Sequence, residues 1–277
     1  MERIQSAIEK ARAARQDKVP GTAAAAPATK AKAQPARPAE AEDPWLALPE
    51  FETNPKMLEA HRIVAFKSGP AAIPFDVMRT KLLHQMRLNN WRRIAITSPS
   101  SACGKTMVSL NLAFSLARQV EIRVLVVELD LRRPAVAKTL GLRVKHLFAS
   151  VLEGKSPAEE NMVRYGANLI FATNHIPTRN PAELLQGPGA AAVLDEIEAR
   201  YRPDIMIFDM PPMLVNDDTI AFLDQVDCAM LIGAAETTTI DEIDRCEQEL
   251  AARTKVMGVV LNKCRYLERG ESYGYDS

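Results

Sequence analysis

Cysteine is scarce in this sequence and scattered. The four cysteines, at 103, 228, 246 and 264, form no close-spaced pairs, so a cysteine-ligated metal site is not expected. A charge excess of either sign is missing as well: Lys and Arg number 35, Asp and Glu number 35, and the formal net charge is +0. Without a basic balance, nucleic acid is not an expected partner. No apolar run reaches the ~18–20 residues that a membrane-spanning helix needs. The first residues carry no apolar signal-peptide core, so a cytoplasmic location is the expectation, with the thiols reduced. No internal repeat is present. What remains is a chain of 277 residues, 47% hydrophobic, long enough for one large α/β domain and an extension.

The extension is N-terminal. Residues 1–17 have helical spacing, with Ile4, Ala7, Ile8, Ala11 and Ala14 able to share a face and most charges lying off it. A short amphipathic helix of this kind docks on a partner or an anionic membrane, or stays solvated, since isolated helices of this length are weak. Residues 18–55 read as a disordered Ala/Pro-rich linker: residues 18–50 hold six prolines and little apolar mass besides Trp45, Leu46 and Leu48. The folded domain is expected over 56–264, followed by a mobile tail at 265–277. Within the domain, strands are expected near 92–98, 122–129, 168–172, 204–209, 226–232 and 256–262. Helices are expected near 76–88, 104–119, 134–140, 181–200, 216–224 and 238–253. Such alternation, with continuously apolar strands such as Val124 to Val127, indicates a mainly parallel central sheet with helices on both faces.

One segment carries a chemistry. Ile94-Ala95-Ile96-Thr97-Ser98-Pro99-Ser100-Ser101-Ala102-Cys103-Gly104-Lys105-Thr106 reads as a buried strand, a tight loop and a helix start. Main-chain N–H groups at a helix N-terminus attract phosphate oxygens, and Ser101, Ala102, Cys103, Gly104, Lys105 and Thr106 supply them. Gly104 lets the backbone approach closely, Lys105 can reach the β- and γ-phosphates of a nucleotide, and the Thr106 hydroxyl can ligate Mg²⁺. The fold class expected is thus α/β and P-loop NTPase-like. The match is imperfect, because Pro99 stands where the regular motif has its first glycine. Two further apolar strands end in carboxylates: Arg123 to Leu129 runs into Asp130, and Asp204 to Phe208 into Asp209. In doubly wound sheets ligands bind outside the carboxyl ends of the strands, where an aspartate can hold Mg²⁺ directly or through water.

With these segments in hand, the chain resembles the bacterial tyrosine autokinases of exopolysaccharide biosynthesis, in their separate cytoplasmic form. Asp209-Met210-Pro211-Pro212 is similar to that family's Walker B segment. Glu128-Leu129-Asp130-Leu131-Arg132-Arg133-Pro134 resembles its Asp-x-Asp-Leu-Arg-x-Pro motif, and Asn180-Pro181-Ala182-Glu183-Leu184-Leu185 its Asn-Pro-x-Glu-Leu-Leu segment. Val256 to Lys263 resembles its last core strand. The resemblance implies a Mg-ATP-dependent protein-tyrosine kinase. In it Lys105 and Asp130 are catalytic, Asp130 taking the proton of an attacking tyrosine hydroxyl or serving metal or structure. Thr106, Asp130 and Asp209 serve the metal, and Asn262 meets the nucleotide base or simply ends a strand in a turn. Arg132 and Arg133 contact phosphate or the incoming tail, or are solvated. The cofactors implied are ATP and Mg²⁺.

Departures matter too. Glu128 replaces the family's first aspartate and Ala102 a usual glycine, departures that point toward reduced activity, and Glu128→Asp is expected to raise or preserve transfer. Partitioning ATPases of the same superfamily have a signature lysine where this chain has Ser100, which disfavours a partitioning-type switch. A nucleotide-binding regulator without kinase turnover stays open. Three of the five tyrosines, Tyr266, Tyr273 and Tyr275, lie in the last twelve residues, and the resemblance makes them phosphoacceptors for a neighbouring subunit. It also implies an inner-membrane polysaccharide co-polymerase or chain-length adaptor as partner, giving a cytoplasmic protein peripheral to the inner membrane. The family's ring-forming Glu-x-x-Arg-x-x-Arg segment is degenerate, with Ile73 and Asp76 at its first two positions and only Arg79 kept. Self-association is still needed for transfer between subunits, but an acidic Asp76 should remove or repel the expected pairing.

Overall fold

The computed structural model describes residues 43–143 and 145–265. Seven strands form one sheet: β1 (Arg93–Thr97), β2 (Val124–Glu128), β3 (Met162–Tyr165), β4 (Leu169–Ala172), β5 (Ile205–Asp209), β6 (Cys228–Ala234) and β7 (Lys255–Asn262), in the order β3-β4-β2-β5-β1-β6-β7. All neighbours are parallel except β3 and β4. The helices are α1 (Pro55–Ala60), α2 (Ile73–Asn89), α3 (Lys105–Ala117), α4 (Val136–Leu140), α5 (Phe148–Leu152), α6 (Pro181–Gln186), α7 (Pro188–Tyr201), α8 (Asp218–Phe222) and α9 (Ile240–Ala251). The expected α/β class with a mainly parallel sheet is the one observed.

The apolar strands explain the layers. Leu125, Val127, Met206 and Phe208 face one core with α7, whereas Val124, Val126, Ile205 and Ile207 face a second core with α2 and α3. Every residue of β2 and β5 is buried, as central parallel strands require. α3 is apolar nearly all round and is buried from Val108 to Leu116. Its Asn111 is the polar exception. The side chain accepts from the N–H groups of Val64 and Ala65 and donates to the carbonyls of Arg62 and Met107, so its burial is satisfied.

Three local expectations are corrected. The linker expected to run to residue 55 ends earlier, because 43–51 form a strap across the domain. Trp45 is 0% exposed, its Nε1 donates to the Tyr201 carbonyl, and Arg123 stacks on its ring and pairs with Asp43. A buried aromatic of this size is worth roughly 3–5 kcal/mol against alanine. Further on, Phe51 N–H donates to Arg164 and Arg164 N–H to Pro49, which covers part of the β3 edge. Second, β3 itself was not expected: its four residues are too few to show a period. Third, the single helix expected over 181–200 is two, because Pro188 holds Gly187 in an extended conformation (φ −67°, ψ 145°) and breaks the run. The expected N-terminal helix at 1–17, the linker up to 42 and the tail from 266 lie outside the described residues. Among the described residues no helix is long and apolar enough to cross a membrane.

Candidate functional site

The site lies at the carboxyl ends of β1, β2 and β5. The loop after β1 turns into α3 through two left-handed residues, Ala102 (φ 64°) and Gly104 (φ 94°). At Gly104 a Cβ would overlap the Asn262 amide, so any side chain there displaces Asn262 and strains the left-handed backbone. Ala102 adopts its φ against the usual steric preference, at a cost of about 1–2 kcal/mol. Elsewhere the loop is tied down. Ser98 Oγ donates to the Ser100 carbonyl, and Met213 and Leu214 N–H donate to Ser98 and Pro99. The first turn of α3 leaves the N–H groups of Lys105, Thr106 and Met107 without helical acceptors, as at any helix start.

Two polar pairs converge there. Lys105 Nζ lies 2.7 Å from Asp130 Oδ2, with the side chains only 12% and 8% exposed. Thr106 Oγ1 donates to Asp209 Oδ2 at 2.7 Å, and Ser109 Oγ to the other oxygen at 3.1 Å. Burial pushes the Asp209 carboxyl up to about 6, against the pull of Lys105 and the two hydroxyls. Asp130 belongs to a loop fastened to the sheet by Leu129 and Asp130 N–H bonds to the Asp209 carbonyl, and its Oδ1 accepts from Arg133 N–H. The structure therefore brings Gly104, Lys105, Thr106, Asp130 and Asp209 together. Ser109 escaped the sequence reading, although it lies three residues after Thr106 and so on the same helical face.

Other residues have different surroundings from those anticipated. Asn262 reaches the loop itself: its Nδ2 donates to the Cys103 carbonyl at 2.8 Å, packed against Gly104. Cys103 is buried, its thiol near Ser100 Oγ and Thr238 Oγ1 and held below the ordinary range despite desolvation, while Ser101 and Ala102 are exposed. Arg132 forms a bidentate pair with Asp218 at 2.7 and 2.9 Å, and Asp218 is 0% exposed. That partner, at the start of α8, had no signal in the sequence. Arg133 is exposed. Glu128 does not face the loop. Its Oε1 accepts from Ala135 and Val136 N–H and its Oε2 from Asn174 N–H, while burial pushes its carboxyl up to about 7. Asp76, expected to repel a neighbouring copy, is neutralised within the chain by Arg118, Arg79 and Ser115, which hold its carboxyl below the usual range. Tyr266, Tyr273 and Tyr275 lie outside the described residues.

This donor set suits a nucleotide phosphate with a hard divalent cation. Hydroxyl and carboxylate oxygens at Thr106 and Asp209 match Mg²⁺, which binds one or two carboxylates plus substrate phosphates. Among the described residues no group of three or more His, Cys, Asp or Glu makes an all-protein metal cage.

Residues 94–273 match the CobQ/CobB/MinD/ParA nucleotide binding domain. EpsB of Ralstonia nicotianae, provisionally named a tyrosine-protein kinase, is 29% identical over 187 residues, 67% of this chain and 24% of its own length. The chain thus spans about a quarter of that relative. The tyrosine-protein kinase YwqD of Bacillus subtilis is 29% identical over 204 residues, 73% of this chain and 84% of its own. Among solved structures, the kinase domain of the Escherichia coli tyrosine kinase ETK superposes with a TM-score of 0.66 at 26% identity, covering 76% of this chain and 82% of that one.

Proposed function

The chain belongs to the CobQ/CobB/MinD/ParA nucleotide-binding family, and from that premise we propose that it is a Mg-ATP-dependent protein-tyrosine autokinase serving exopolysaccharide synthesis and export. The kinase names of its relatives support the activity. The observation that carries the reading is the buried Lys105–Asp130 pair beside the Thr106–Asp209 pair at one helix start.

The residues perform the steps as follows. Main-chain N–H groups from Ser101 to Thr106 bind the phosphates. Thr106 and Asp209 would hold Mg²⁺, which when bound would neutralise phosphate charge. Lys105 would swing from Asp130 to the β/γ-phosphates, and Asp130, relieved of its cation, would accept the proton of a tyrosine hydroxyl as its oxygen bonds the γ-phosphorus and the bond from that phosphorus to the bridging oxygen breaks, releasing ADP. The acceptors are Tyr273 and Tyr275, with Tyr266. From Asn262, eleven positions reach Tyr273, a span of at most ~36 Å, which admits a neighbour's site. Self-association and an inner-membrane polysaccharide co-polymerase complete the proposal. One observation favours a second reading, a nucleotide-binding regulator without turnover: Glu128, in the place of an acidic motif residue, spends its carboxylate on backbone donors.

A mixing experiment decides between them. A Lys105→Met protein with its tail is combined with an active protein lacking residues 265–277. Phosphotyrosine on the inactive partner is expected, and its position is read by mass spectrometry. Wild type that labels itself while the mixture does not places transfer within one chain. No label in either leaves the regulator.

Acid should also weaken Mg-nucleotide binding. Asp209 has a raised carboxyl, near 6, so the free protein holds a proton there below that pH. The cation requires the ionised form. Affinity is therefore expected to fall by up to about tenfold per pH unit on going from about pH 6 to pH 5. Parallel titrations in EDTA subtract protonation of the nucleotide itself. A profile as flat with Mg²⁺ as without it would detach Asp209 from the metal.

A further inference from the structure

We infer that Glu128 is a positioning residue that staples the Asp130 loop shut, and that its extra methylene relative to aspartate is required for this. The inference rests on the reading of Asp130 as part of a phosphoryl-transfer site.

Glu128 and Asp209 are register partners at the ends of β2 and β5. Their Cα atoms start about 5 Å apart, as in any paired strands, and their side chains leave from the same side of the sheet. They then diverge. Asp209 turns to Thr106 and Ser109 on α3. Glu128 turns to the start of α4, where Oε1 accepts from Ala135 N–H at 2.6 Å and Val136 N–H at 2.7 Å. Its second oxygen accepts from Asn174 N–H at 2.8 Å, and its own carbonyl accepts from Asn174 Nδ2 at 3.1 Å. Asn174 Oδ1 in turn accepts from Ala149 N–H on α5.

These bonds close a loop at its base. Residues 129–135 leave the sheet at Glu128 and return to it through the Glu128 carboxylate. The first half of the same stretch, tied to the Asp209 carbonyl through the Leu129 and Asp130 N–H groups, pairs Asp130 with Lys105 and Arg132 with Asp218. All three bonds go to main-chain donors, and Glu128 is 1% exposed. A carboxylate so occupied is not free to bind a metal ion on the α3 side. An aspartate at this position is shorter by about 1.5 Å and cannot reach Ala135, Val136 and Asn174 together. Glutamine keeps the length and the Oε1 acceptor, but sets an NH₂ group against Asn174 N–H. The inference thus reverses the expectation that Glu128→Asp helps the enzyme. A metal-ligand role for Glu128 predicts the opposite order of variants.

The test uses the full chain as wild type, Glu128→Asp and Glu128→Gln. Amide hydrogen exchange of Ala135, Val136 and Asn174 without nucleotide reads the staple. Nucleotide affinity, Mg²⁺ half-saturation and kcat for tail phosphorylation read the site. Glu128→Asp should exchange faster at all three amides. Its kcat should drop roughly tenfold to a hundredfold, the scale of a ~1 Å misplacement. Its Mg²⁺ half-saturation and nucleotide affinity should stay within about twofold of wild type, the resolution of such titrations. Glu128→Gln should fall between the two. Unchanged exchange, a Glu128→Asp protein as fast as wild type, or a Mg²⁺ requirement raised most in Glu128→Gln would each overturn the staple. A wild type that binds nucleotide but transfers no phosphate removes the kinase reading instead, and the exchange pattern with the affinities still decides Glu128.

Discussion

Lys105→Met is expected to lower phosphoryl transfer by roughly a thousandfold, the loss that follows removal of a cation aimed at transferring phosphate. It should also cost stability. Lys105 neutralises Asp130 across 2.7 Å with both side chains largely buried. Removing one partner of such a buried pair costs about 3–5 kcal/mol. The double variant Lys105→Met, Asp130→Asn removes the stranded charge, so unfolding should return toward wild type while transfer stays lost. Kinetics at saturating Mg-ATP and denaturant unfolding on the same samples separate the two effects. A folded Lys105→Met protein with full transfer would falsify the assignment of this loop.

Asp209→Asn should move activity and stability in opposite directions. Transfer is expected to fall about a hundredfold or more, because the cation loses its carboxylate. Stability should hold or rise. Asp209 is 1% exposed and its carboxyl is pushed up to about 6 in the fold, above the ordinary value of 3.8. A raised folded value means that the native state holds the proton more tightly than the unfolded chain. The ionised group therefore opposes folding, by an amount that grows from about pH 4 to pH 6 and then stays constant, up to ~3 kcal/mol. Asparagine has no charge to desolvate, and the Thr106 and Ser109 hydroxyls can either donate or accept. The stability difference between variant and wild type should widen from about pH 4 to about pH 6 and then level off. Full transfer in the variant, or a loss of stability that is greatest at neutral pH, would remove Asp209 from the role given it.

Much of this was legible in sequence because it rests on strong, local patterns. The strands with continuous apolar runs, such as β2 and β5, announce a sheet covered on both faces. A Gly-Lys-Thr at a helix start and an aspartate at a strand end mark where charge gathers. What stayed hidden depends on contacts between distant segments. Trp45 lies in a proline-rich stretch, and only the floor under Tyr201 and Arg123 makes it a core residue. β3 owes its existence to pairing with β4 and to the strap, not to its own four residues. Glu128 reads as a misplaced aspartate because backbone donors at Ala135, Val136 and Asn174 leave no trace in residue type. Asp76 likewise reads as repulsive until Arg118 is seen beside it.

The strap has a mechanical consequence. Asp43 and Trp45 are moored at the amino end of the sheet, beside Arg123 at the foot of β2 and Tyr201 just before β5. Arg265 sits at the other end, near Glu236 beyond the top of β6. About 17 Å of strand separates the two levels. A pull applied at Asp43 is therefore borne first by a buried indole and an ion pair at the amino end of the sheet, away from Lys105 and Asp130. The entry of the described chain at Asp43 and the rim that carries Lys105 and Asp130 thus lie at opposite ends of one sheet, and the strap leaves that rim uncovered.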